Sequence, residues 1–192
     1  MKFPKPSEDR PKASSVEALF PRIPSGLAGK YLVFELAGEE YGLPLQKVQE
    51  IVLTEALHPG EKTSSYTLGT LDLRGDRVPV IDLRRRLHVR EKKNDFRTCI
   101  VIANITLAPG RTAPAGFLVD AVEDVRSFAP EAIEETPYME QGRPGAFMGV
   151  ARGGGGKEQN GKPGDRVAHP ETVTLLDPDP LLSATDLTAL LG

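Results

Sequence analysis

Apolar residues in this chain come in short bursts separated by turn residues. Residues 31–36 (Tyr-Leu-Val-Phe-Glu-Leu) form one burst, Ala-Gly-Glu-Glu turns it at 37–40, and residues 41–45 form a second. That is a β-hairpin pattern. Residues 46–52 place single apolar residues among polar ones and end in Ile51-Val52, a helical turn running into a strand. Residues 53–67 read as a loop. Residues 69–83 then give two apolar strands around Arg74-Gly75-Asp76. Gly75 can take positive φ, which a tight turn requires. Pro79 cannot donate a ladder hydrogen bond, so its strand is expected at an edge or a bulge. Asp82 is placed to cap a short helix starting at Leu83.

The second half follows the same grammar. Residues 98–105 read as a buried strand and residues 107–114 as a turn. Residues 116–125 (Gly-Phe-Leu-Val-Asp-Ala-Val-Glu-Asp-Val) change from a continuous apolar run to alternation, the pattern of a strand that leaves one sheet and enters another. Pro130, Pro137 and Pro144 mark a long connection, residues 147–151 a strand and residues 173–176 a closing strand. Leu187, Leu190 and Leu191 lie at helical spacing, with Ser183 or Thr185 able to cap a C-terminal helix. About ten short strands with closely spaced turns predict an all-β protein built of small barrels.

Two segments stand outside this pattern. Residues 1–29 carry five prolines among scattered charges and are expected to be a flexible arm. Residues 152–171 are polar and glycine-rich and are expected to be a long loop within the domain, which spans 30–192.

Composition narrows the chemistry. The chain has 192 residues, enough for a sizeable core without disulfides, and its one cysteine, Cys99, falls inside an apolar run. A net charge of −3 gives no global attraction to nucleic acid or anionic lipid. No apolar run is long enough to span a membrane and no secretory h-region begins the chain, so a cytoplasmic location is expected.

Several motifs offer a chemistry and then withhold it. Residues 156–162 have the glycine and lysine spacing of a phosphate loop, but Pro163 stands where a hydroxyl residue should bind Mg²⁺. Arg74-Gly75-Asp76 spells an integrin-type tripeptide, and Asn104-Ile105-Thr106 a glycosylation sequon; in a cytoplasmic chain these read as a turn and a buried strand. His58, His88 and His169 have no ligand spacing to each other or to Cys99, so neither metal nor cofactor is expected. Asp72, Asp76 and Asp82 could do acid/base work, but a turn and a helix cap account for the last two. No catalytic constellation emerges, and no enzyme is expected. The basic run 84–97 is the one alternative to weigh, since small barrels bind single strands through cationic grooves and stacking aromatics. Only Phe96 accompanies the cations, and Glu91 and Asp95 dilute them.

Five segments, in order, resemble the CheW family of chemotaxis coupling proteins. They are the hairpin from Tyr31 to Leu45, Lys47-Val48-Gln49-Glu50-Ile51, the stretch 68–83, the stretch 116–125, and the stretch 173–182. The resemblance covers about residues 30–191. It implies two intertwined five-stranded SH3-like β-barrels, with short helices, a C-terminal helix and a hydrophobic groove between the barrels. It also implies a non-catalytic adaptor that couples chemoreceptor cytoplasmic tips to the regulatory domain of a CheA-type histidine kinase, within receptor arrays at the membrane but without insertion into it. Val48, Glu50, Gly69 and Arg74 match the family's contact positions. Leu71, Val80 and Val119 are expected to line the groove, with Arg74 at its rim. Asp72 stands where the family commonly has Asn, and is expected to pair with Arg74.

Overall fold

The computed structural model describes residues 26–60, 64–134, 145–153 and 172–182. Most of the proline-rich arm, nearly all of the glycine-rich loop and most of the segment expected to form a C-terminal helix lie outside them.

Among the described residues twelve strands form two sheets. They are β1 (Gly29–Leu36), β2 (Glu39–Pro44), β3 (Val48–Leu53), β4 (His58–Pro59), β5 (Thr67–Leu73), β6 (Asp76–Asp82), β7 (Cys99–Ala108), β8 (Arg111–Val119), β9 (Ala121–Phe128), β10 (Ile133–Glu134), β11 (Phe147–Arg152) and β12 (Thr172–Leu176). One sheet runs β10-β11-β12-β2-β1-β9 and the other β3-β7-β8-β6-β5-β4. Each has five full strands and one two-residue strand, so the five-stranded SH3-like barrels expected from sequence are present. The second barrel is inserted into the first, between β2 and β9. Each sheet contains one parallel pairing, β12 with β2 and β6 with β8.

The crossing between sheets occurs at Asp120. β8 ends at Val119 in one sheet and β9 starts at Ala121 in the other. The change from continuous to alternating apolar residues marks this point. Strands that are continuously apolar are buried on both faces. Along β1, Tyr31 and Val33 fill one barrel, while Leu32, Phe34 and Leu36 join the central core between the sheets. Along β7, Ile100 and Ile102 fill the other barrel, while Cys99, Val101, Ala103 and Ile105 face the central core.

Local signals fared unevenly. The helical turn at 46–52 is a 3-10 turn, Leu45–Lys47, running into β3. Helix α1 (Leu83–Arg86) starts where Asp82 caps it, with Oδ1 accepting from the Arg84 amide at 3.0 Å. The turn expected over 107–114 is smaller. β7 and β8 continue to Ala108 and Arg111, and only Pro109-Gly110 connects them. Residues 53–67 contain β4, which pairs with β5 at Gly69 and Thr70. The hairpin β5–β6 is therefore not an open edge throughout. β4 covers part of β5, and β8 pairs with β6 from Val80 to Asp82. Pro79 lies just before that pairing begins, where β6 has β5 alone as its neighbour.

Candidate docking surface

The tip of β5–β6 is a two-residue turn, because Leu73 pairs with Asp76 across it. Arg74 (φ +55°) and Gly75 (φ +95°) both have left-handed backbone, as a type I′ turn requires. Asparagine is usual at the first of these positions, and an arginine there carries backbone strain. Arg74 Nη2 donates to Oε1 of Glu50 at 3.1 Å. The Arg74 side chain remains 83% exposed.

Glu50 is held in place by a bulge. Val48 pairs with Ala103 but Glu50 pairs with Ile102, so β3 has one extra residue there. Beyond the bulge, Ile51 and Leu53 fall on the same face and are 46% and 67% exposed. Among the described residues β3 is the edge strand of its sheet, with β7 its one partner. β3 thus carries an ion pair on one face and two exposed aliphatic side chains on the other. Gln49 is anchored, its Nε2 donating to Asn104 Oδ1 at 2.7 Å.

The remaining residues singled out from sequence divide by burial. Val48 is half-buried and packs on the central core. Leu71 and Val80 are inside the β3–β8 barrel, and Val119 is in the central core; all three are fully buried. They cannot line an open groove, because the space between the sheets at Val119 is filled by packed side chains such as Phe34, Val101 and Phe117. Gly69 is also buried, for a backbone reason. A Cβ there would lie 2.1 Å from the His58 carbonyl oxygen and 2.7 Å from the Gly60 nitrogen. Its position lets β4 cross close to β5. Asp72 is exposed and lies 3.8 Å from His58 Nε2, so the expected pairing with Arg74 is replaced by Glu50. Sequence reasoning missed Ile51 and Leu53. Their alternation with Val52 was visible, but not that β3 lies at an edge.

The basic run is equally instructive. Arg84 is buried, and its guanidinium donates to Asp82, Asp120, the Lys92 carbonyl and Asn94 at 2.8–3.0 Å. Burial alone would lower its pKa, but the bonds and charges of Asp82 and Asp120 outweigh that and raise it. Asp120 also accepts from the Ala37 amide at 2.7 Å, so this cluster ties the sheet crossing to the β1–β2 turn. Arg86 donates to the Leu181 and Pro180 carbonyls and lies over the Tyr66 ring. Arg85 pairs with Glu91, and Arg97 with Glu35 and Glu123. Cations committed to partners within the chain are less available to a phosphate-binding groove, and of this run only Arg90 and Lys93 have no such partner among the described residues, which weakens the nucleic-acid reading of 84–97. A second buried cluster, Arg126 bidentate to Glu40 at 2.5 and 2.7 Å, braces β9 against β2. Cys99 is buried, and burial raises its thiol pKa. Among the described residues no group of three or more His, Cys, Asp or Glu side chains is arranged to hold a metal. No helix among them is long and apolar enough to cross a membrane.

Comparison with known proteins agrees with this architecture. A CheW-like domain is matched over residues 30–186. The chain is 35% identical over 118 residues to the chemotaxis protein CheW of Klebsiella aerogenes, covering 59% of this chain and 68% of that one. It is 32% identical over 108 residues to the chemotaxis protein CheW of Bacillus subtilis, covering 56% of this chain and 66% of the relative. The crystal structure of the scaffolding protein TtCheW from Thermoanaerobacter tengcongensis superposes with a TM-score of 0.62 at 26% identity, covering 81% of this chain and 92% of that one. With two intertwined barrels in place and a CheW-like domain matched over most of its length, the chain belongs to the CheW-like family of chemotaxis adaptors.

Proposed function

We propose that this protein couples chemoreceptor cytoplasmic tips to the regulatory domain of a CheA-type histidine kinase, and that the β3 edge with the β5–β6 tip is a docking surface for this assembly. One observation carries the reading. The Arg74–Glu50 pair joins a strained turn to a bulged edge strand, whose opposite face exposes Ile51 and Leu53. A strained turn that keeps a charged group on the surface is costly to the fold alone and gains its meaning from a partner. The aliphatic pair supplies area to desolvate, and the charges set orientation and association rate. Val48 and Glu50 contribute from β3 and Arg74 from the hairpin tip, with Asp72 farther along β5. Gly69, Leu71, Val80 and Val119 act from beneath, by fixing the backbone that presents them. Engagement of both partners would place the protein at receptor arrays on the membrane surface.

The test is calorimetric titration of the full chain with a purified receptor-tip hairpin and with a purified kinase regulatory domain, for the parent and for Arg74→Glu. Binding of at least one partner, weakened about tenfold or more by Arg74→Glu, is expected. Absence of binding to both would overturn the reading.

A further inference from the structure

A cleft of about 170 Å³ lies where β1 begins and β2 ends. Leu27, Tyr31, Pro44 and Met148 give it apolar walls, and Gly26 lines it as well. The chain turns here before it enters β1. Gly26 lies in a turn and Leu27 in a bend, and the Tyr31 hydroxyl donates to the Leu27 carbonyl at 2.6 Å. Leu27 and Met148 both pack on the barrel core formed by Tyr31, Val173 and Leu175, yet both stay half-buried. The barrel core is therefore incompletely covered beside the point where residue 25 joins the described fold. The same cleft borders the docking strand, because Pro44 and Lys47 line it and Lys47 leads directly into β3.

We propose that the proline-rich arm closes this cleft in cis, with the Ile23 side chain inserted between Leu27 and Met148 as a strap on the first barrel. The strap is independent of the adaptor reading. Connectivity favours this occupant. Ile23 is three residues before Gly26, a reach of about 10 Å, and Gly26 itself lines the cleft. So short a tether sets an effective concentration in the millimolar range, which a free peptide of the same chemistry would have to exceed. Size agrees. An apolar cavity of about 150 Å³ takes a benzene ring, so this cleft has room for an isoleucine side chain. The segment is also suited to it. Leu19-Phe20-Pro21-Arg22-Ile23-Pro24 gathers three large apolar residues beside the fold. Pro21 and Pro24 fix φ and bias Phe20 and Ile23 toward extended backbone, which lowers the entropy lost on docking. In extended chain, successive side chains point to opposite faces. Ile23 in the cleft thus leaves Arg22 in water, away from Lys30 and Lys47. Lys47 is already paired with Asp177 at 3.4 Å and Asp179 at 2.6 Å, so the contact is apolar and needs no new ion pair.

The experiment is nuclear magnetic resonance on the full chain with labelled isoleucine and methionine methyl groups. A nuclear Overhauser contact between the Ile23 and Met148 methyls is expected. Ile23→Ser is expected to move the Met148 methyl resonance, to speed amide exchange at residues 27–31 about tenfold, and to lower the thermal midpoint by about 2–4 °C. Arg22→Ser, which changes the neighbouring side chain that faces water, is expected to leave all three as in the parent. Absence of the Ile23–Met148 contact would overturn the strap, and so would a Met148 resonance and amide exchange that are the same in Ile23→Ser as in the parent. A mixture of chains labelled only at isoleucine with chains labelled only at methionine identifies the occupant. A contact that persists in the mixture would overturn closure in cis in favour of arms exchanged between two copies. The titrations with the receptor tip and the kinase domain are read separately, so failure of the strap leaves the adaptor reading standing.

Discussion

Arg74 Nη2 lies 3.1 Å from Glu50 Oε1, joining a hairpin tip to an edge strand that is not its neighbour in the sheet. An exposed pair of this kind contributes roughly 0–1 kcal/mol to the fold. Its larger effect is expected at the interface. Arg74→Glu and Glu50→Arg should each weaken partner binding about tenfold, and the double exchange should recover part of the loss. Denaturation midpoints should stay close to the parent's. A double-mutant cycle by calorimetry, with a coupling energy near zero, would count against a shared role.

The backbone of Arg74 gives a prediction of opposite sign. At φ +55° asparagine is better tolerated than arginine. Arg74→Asn should therefore stabilise the fold by about 0.5–1 kcal/mol while lowering partner affinity. Urea unfolding and calorimetry on the same preparation would show the two moving apart.

Gly69 should behave in the reverse way. Its Cβ would be 2.1 Å from the His58 carbonyl oxygen, so Gly69→Ala has to displace β4. A loss of about 1–3 kcal/mol is expected. Any loss of partner binding should follow the loss of folded protein, and amide exchange at residues 58–60 should rise first.

Removing Arg84 should be among the most damaging single changes. Arg84→Met would leave the buried carboxylate of Asp120 without its cation and Asp82 with only Arg85, at 3.7 Å. The expected cost is about 3–5 kcal/mol, measured by chemical denaturation. The turn around Phe96 should also loosen, visible as faster exchange of the Arg97 and Thr98 amides.

Acid sensitivity should have a component at Asp179. Burial raises its pKa, but the hydrogen bonds from Lys47 and Thr106 and the Lys47 charge outweigh this and hold it below the ordinary value. A carboxyl depressed in the folded state contributes stability above its unfolded pKa, about 3.9, and that contribution is lost as the pH falls through the folded value. Asp179→Asn should unfold with a shallower dependence on pH below about 4. Parallel unfolding curves for the two proteins across that range would contradict the assignment.

Much of the fold was written in the order of residues. Turn pairs such as Ala37-Gly38 and Arg74-Gly75, the cap at Asp82 and the pattern change at residues 116–125 depend on neighbours within a few positions, and such signals act before any tertiary contact forms. The doubly apolar runs at β1 and β7 likewise announced strands covered on both faces. What a strand faces is decided by pairings distant in sequence. Leu71, Val80 and Val119 looked available for a groove and are core, because β7, β8 and β1 close over them. Ile51 looked like an ordinary strand residue and Leu53 like the start of a loop, and both are exposed on a strand that ends at the edge of its sheet among the described residues. The basic run looked like one charged face. The fold divided it into a buried Arg84, internally bonded Arg85, Arg86 and Arg97, and the exposed Arg90 and Lys93, because the sheet crossing brought Asp120 to Arg84 from 36 residues away. The sequence by itself determined where the chain turns and which segments become strands; only the tertiary structure decided which residues leave water, which charges meet and which apolar side chains remain for a partner.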